Sequence, residues 1–132
     1  KVRPFDMEGF KYEWLSLCKR FYNMASKPDV FVVIPPPLYM DGYVPGSRDL
    51  YNKQISQEIP KLAKECGAAD DQIIDLFNAM GGKELSAPHM YCDHRWCDGF
   101  HPVDAGQDVM GREILSKIVS FYMKNPKGRQ SN

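Results

Sequence analysis

The densest run of residues able to do chemistry is 89–101, H-M-Y-C-D-H-R-W-C-D-G-F-H, with three histidines, two cysteines and two aspartates close together. Three chemistries fit it. The first is an acid–base pair. Asp98 and His101 are separated by Gly99 and Phe100. A three-residue step around a glycine can fold the carboxylate back onto the imidazole. The carboxylate would then hold the histidine tautomer and stabilise the imidazolium formed when the ring takes a proton from a hydroxyl. Asp104 lies just beyond, where a helix begins, and the positive end of that helix disfavours imidazolium. The neighbouring carboxylate is what would keep His101 a usable base. The second chemistry is zinc binding, because His89, Cys92, His94, Cys97 and His101 offer enough nitrogen and sulfur donors for a tetrahedral site. The third is a small disulfide between Cys92 and Cys97, which would stiffen the loop ahead of the acid–base pair in an oxidising compartment.

The elements that must position this run follow from periodicity. Residues 8–26 read as an amphipathic helix, with Phe10, Trp14, Leu17, Phe21 and Met24 on one stripe. Residues 29–34 form an apolar, β-branched run with both faces apolar, as in a buried strand of a parallel sheet. Pro35, Pro36 and Pro37 stop it. A loop through Gly42, Pro45 and Gly46 leads to a second helix over 48–66, with Ile55, Ile59, Leu62 and Cys66 on its stripe and a kink or break expected at Pro60. Gly67 suits its C-terminus. A second short strand lies within 72–77, followed by a loop with Gly81, Gly82 and Pro88. Asp104 is expected to cap the last helix, with Gln107 completing a capping box, and Met110, Ile114, Ile118 and Phe121 should be its buried stripe. Residues 125–132 read as a frayed tail.

The order helix, strand, helix, strand, helix is that of a layered α/β domain with a parallel sheet. Two strands are marginal as a sheet, and three helices have more apolar face than two strands can cover. Further strands are therefore expected N-terminal to this sequence. The chain of 132 residues suits one domain. With 17 Lys plus Arg against 17 Asp plus Glu, a net charge near zero argues against nucleic acid or an anionic membrane as the main partner. No apolar run is long enough to span a bilayer. The first residue is Lys1, which suggests a trimmed chain or part of a longer one. Cys18 and Cys66 fall in the helices and are expected to be small buried apolar groups.

The run Asp98-Gly99-Phe100-His101-Pro102-Val103-Asp104-Ala105-Gly106 resembles the last block of the SGNH (GDSL-type) hydrolases, D-G-x-H-P-n-x-x-G followed by a helix. The stretch 28–39, P-D-V-F-V-V-I-P-P-P-L-Y, resembles the strand and proline turn of members that act on acetylated carbohydrates, and Ile73-Ile74-Asp75-Leu76 sits where the family has its final strand. Order and spacing agree from about residue 5 to residue 124. The resemblance implies the C-terminal portion of a three-layer α/β/α flavodoxin-like sandwich. It implies a metal-free serine esterase acting on an O-acetyl or other short-acyl ester of a carbohydrate, with no cofactor. Asp98 and His101 would be the triad acid and base. Pro36, Pro37, Tyr39 and Trp96 would be candidates for the substrate pocket. Pro35 shares that position, and Phe100 is a candidate either for covering the substrate or for packing.

The departure is as informative as the match. The nucleophile block G-D-S, the glycine block and the G-x-N-D block have no counterpart here; Gly46-Ser47 is nearest and lacks the aspartate. The nucleophile is therefore expected from an N-terminal segment of the same protein. Two alternatives stand beside this one: a non-catalytic SGNH-like binding or structural subunit, and a zinc-binding protein built on residues 89–101. The localisation is open, with a lean to a secreted or lumenal site.

Overall fold

A computed structural model describes residues 4–41, 44–91 and 101–126. It is a mixed α/β fold, mostly helical, around a two-stranded parallel sheet. Helix α1 spans Met7–Tyr22 and opens on Asp6, whose carboxylate accepts from the Gly9 N–H at 2.9 Å. It ends four residues earlier than its stripe suggested, because Asn23 closes it and turns run on to Lys27 at φ 47°.

Strand β1, Val32–Ile34, pairs in parallel with β2, Ile73–Asp75, in the register Val32 to Ile73, Val33 to Ile74 and Ile34 to Asp75. The ladder is half the length of the apolar run. At one end Pro35 has no N–H to offer it, and β2 supplies only three partners. Val32, Ile34 and Ile73 face α1 and the helix α3, Ser56–Cys66, in one core with Ile59, Ala63 and Phe77. On the opposite face the two strands differ. Ile74 is 1% exposed, whereas Val33 is 39% exposed. The expectation that both faces of the first strand are covered is thus corrected: α5, Asp104–Lys124, packs against β2 and leaves Val33 open.

The second helix is also not the single kinked rod that was expected. Helix α2, Ser47–Leu50, runs into a π turn, Tyr51–Ile55, and then into α3. Pro60 lies inside α3 without interrupting it; the irregularity falls one turn earlier, in the wide turn that carries the buried Asn52. Asp41 helps to start this segment, its carboxylate accepting from the N–H groups of Gly46 and Arg48 at 3.0 and 2.9 Å, and these donors hold its pKa below the ordinary carboxylate value.

The cysteines in the first two helices are not reduced apolar fillers. Cys18 of α1 and Cys66 at the end of α3 form a disulfide, with Cα atoms 6.2 Å apart. Helices α1 and α3 pack side by side, which brings two inward-facing thiols within bridging range.

The last helix begins one residue earlier than predicted. Val103 is the capping position and Asp104 the first helical residue, so the expected capping box does not form. Gln107 instead donates its side-chain amide to the carbonyl of Pro102 at 3.2 Å. The predicted stripe of Met110, Ile114, Ile118 and Phe121 is half-buried. Phe121 meets Phe31 edge-on at 5.1 Å. No helix among the described residues is long and apolar enough to cross a membrane.

The tightest contact of α5 is at its root. A Cβ on Gly106 would come within 2.5 Å of the Met90 carbonyl oxygen, 2.8 Å of Pro102 and 2.9 Å of Met80. Alanine is intrinsically the better helix former by about 1 kcal/mol, but overpacking of this kind costs about 1–3 kcal/mol. Gly106→Ala is therefore expected to lower the denaturant midpoint with an unchanged m-value, and a raised midpoint would contradict the close approach.

Candidate functional site

Both strands deliver their carboxyl ends to the same side, since they are parallel and in register. Beyond β1 the chain enters Pro35, Pro36 and Pro37. Prolines lack the N–H with which a segment would join a ladder, and the carbonyls of Pro35 and Pro37 accept from side chains elsewhere in the chain. The Tyr51 hydroxyl donates to Pro35 O at 2.7 Å, and the Tyr91 hydroxyl to Pro37 O at 2.9 Å. Asn52, only 6% exposed, grips Leu38 in both directions: its Nδ2 donates to Leu38 O at 2.7 Å and its Oδ1 accepts from Leu38 N at 2.9 Å. The Tyr39 hydroxyl donates to Met80 O at 3.2 Å and accepts from the Ala87 N–H at 2.7 Å. Gly81, at φ 104°, makes room for that hydroxyl, which a side chain there would overlap. The segment leaving β1 is therefore a stiff platform, held by side chains from two other parts of the chain and by its own Tyr39 on the backbone of a third.

The chemistry-bearing run is rooted on this platform. Tyr91 forms an isolated antiparallel bridge with Pro102, and the Val103 N–H donates to Met90 O at 3.0 Å. These contacts join residues 90–91 to residues 102–103, and His101 sits directly before Pro102. The tyrosines that build the root act as donors rather than nucleophiles. Burial pushes the Tyr91 and Tyr51 hydroxyls far above their ordinary pKa. Burial also raises Tyr39, with the Ala87 N–H working the other way. All three stay protonated at neutral pH.

His101 is exposed at the foot of α5. Its expected partner Asp98 lies outside the described residues, as do Trp96, Cys92, Cys97, His94 and Phe100. Pro36 is half-buried, and Pro37 is fully buried beneath Tyr91, so the ring of Pro37 packs inside the fold. Tyr39 is half-buried, stacked on Tyr91 with ring centroids 4.3 Å apart. Its hydroxyl is committed to the backbone, which leaves the edge of its ring as the part able to meet a ligand. Of the zinc candidates, His89 and His101 are described. No cluster of three potential ligands occurs among the described residues.

Asp75, at the carboxyl end of β2, is occupied as a helix cap. It accepts from the Asn78 N–H at 2.9 Å and the Asn78 side chain at 2.6 Å, starting the short helix α4, Leu76–Ala79. A concavity of about 710 Å³ lies at the far end of α5 between Ile118, Val119, Tyr122, Met123 and Pro126. It is walled by apolar groups and holds no acid–base pair.

Sequence reasoning passed over Asn52, Tyr51 and Tyr91. A signal for Asn52 was present: it falls three and seven residues before Ile55 and Ile59, so a polar side chain lies on the apolar stripe of its helix. Such a residue must find partners when buried. Tyr91 sat inside the conspicuous run and was overshadowed by its histidines and cysteines. No protein-family model matches the chain, and no curated protein and no solved structure matches it.

Proposed function

We propose that this chain is the acid–base portion of an SGNH-type ester hydrolase, built on the C-terminal part of a three-layer α/β/α flavodoxin-like sandwich. One observation carries the reading. His101 adjoins Pro102, whose bridge to Tyr91 is tied through Pro37 to the carboxyl end of β1, the side on which open α/β sheets keep their sites. The D-G-x-H-P-n-x-x-G run, opening a long helix, supports it from the sequence. The reaction is acyl transfer. A serine hydroxyl attacks the ester carbonyl while His101 takes its proton, and Asp98 holds the imidazole in the needed tautomer. The C–O bond to the alcohol then breaks and His101 returns the proton to the leaving oxygen. Water repeats the sequence on the acyl-enzyme, releasing the acid and the serine.

Because the sequence has no G-D-S block, the reading assigns the nucleophile to a segment outside these 132 residues. The preferred substrate is a short-acyl ester of a carbohydrate, with Tyr39 and Trp96 at the sugar or acyl group. The Cys18–Cys66 disulfide supports a secreted or lumenal location, where such bonds persist. The missing nucleophile block favours one rival, a non-catalytic SGNH-like binding subunit.

The complete protein, carrying its N-terminal segment, separates the two. It should hydrolyse 4-nitrophenyl acetate and an acetylated sugar, and a fluorophosphonate should label one serine outside these residues. No turnover and no labelling would leave the binding subunit as the better reading.

A further inference from the structure

We infer that Tyr91 is a positioning residue for His101, its hydroxyl fixing the Tyr91–Pro102 bridge beside His101 to the proline platform at the carboxyl end of β1. The inference rests on the hydrolase reading, with His101 as the base. Tyr91 is 4% exposed, with its backbone in the bridge beside His101 and its side chain on the platform. Its backbone pairs with Pro102, the residue next to His101. Its hydroxyl donates to Pro37 O at 2.9 Å across a sequence separation of 54 residues. Its ring lies against Tyr39, whose own hydroxyl is tied to Met80 and Ala87. The Met90–Val103 hydrogen bond and the close seat of Gly106 on Met90 O complete the root. A hydrogen bond from Tyr91 therefore links the frame that carries His101 to the frame that ends β1.

Tyr91→Phe removes that bond and little else. The ring and its stacking remain, while a buried carbonyl loses its donor. The base can then shift against the ester carbonyl, and a displacement of about 1 Å can cost about 10²-fold in rate. In the complete protein, kcat for 4-nitrophenyl acetate is expected to fall about 10- to 100-fold, with KM changed less than about twofold. Exchange of the Val103 amide, read by mass spectrometry or NMR, should accelerate in the same variant. Ile59→Val serves as the comparison, because it lightens the α1–α3 core without touching the loop root. It should leave kcat per folded molecule and the Val103 amide unchanged.

If Tyr91→Phe keeps wild-type kcat and Val103 protection while His101→Ala is inactive, the inference is overturned and the hydrolase reading stands. A Tyr91→Phe loss no larger than that of Ile59→Val also overturns it, since the role would then be stability alone. An active His101→Ala protein overturns the hydrolase reading itself, and the positioning role with it.

Discussion

In the complete protein, His101→Ala is expected to lower kcat for a short-acyl ester about 10⁴-fold or more, with KM nearly unchanged. The magnitude follows from the role. Without the imidazole, the attacking hydroxyl must lose its proton to water, and the leaving alkoxide has no donor. Both failures fall on the transition state, so they appear in kcat rather than in ground-state binding. Asp98→Asn should cost about 10⁴-fold for a different reason, because an amide holds the wrong tautomer of the imidazole. The double variant should be little worse than His101→Ala, as residues that act as a unit are far from additive. A surface histidine with no part in the chemistry would give less than a twofold change in rate, and that result would sink the assignment.

The second large effect is on stability. The Cys18–Cys66 disulfide closes a loop of 48 residues, and chain-entropy arguments give a bond over that span about 4 kcal/mol. Whole domains are stable by only about 5–15 kcal/mol, so this is a substantial share. The bond matters here because it ties α1 to α3, the two helices that cover the Val32, Ile34 and Ile73 face of a two-stranded sheet. The Cys18→Ala, Cys66→Ala double variant should unfold at a clearly lower denaturant concentration than the oxidised parent. Both cysteines are buried, so truncating them also removes packing. Parent protein in excess reductant separates the two contributions, since it keeps the sulfur atoms and loses only the covalent link. Coincident midpoints for oxidised and reduced parent would show that the link contributes nothing.

Much of the architecture was legible from local order. The apolar stripe through Phe10, Trp14, Leu17 and Phe21 announced α1, the β-branched run before Pro35 announced β1, and the helix after Asp104 was placed within one residue of its start. These features depend on residues three, four or two apart, and the backbone geometry that reads them is local. The parallel pairing was likewise expected from apolar strands separated by a helix, and β1 and β2 pair in that way.

Other features were decided by contacts between distant parts of the chain. The stripes could place Cys18 and Cys66 on inward faces, but only the packing of α1 on α3 set them opposite one another. Val33 and Ile74 are equally apolar and stand in register, yet α5 lies over one and not the other. The site divides in the same way. The three-residue step from Asp98 to His101 reads as an acid–base pair because the two residues are close in sequence, and Asp98 lies outside the described residues. That the bridge beside His101 is tied to the end of β1 depends on Tyr91 reaching Pro37, and the platform depends on Asn52 gripping Leu38 and Tyr39 meeting Ala87. These hydrogen bonds join residues 14 to 54 positions apart. A one-dimensional period carries no information about which buried donor will meet which buried carbonyl. That choice is made when the elements pack, under the requirement that each buried polar group find a partner.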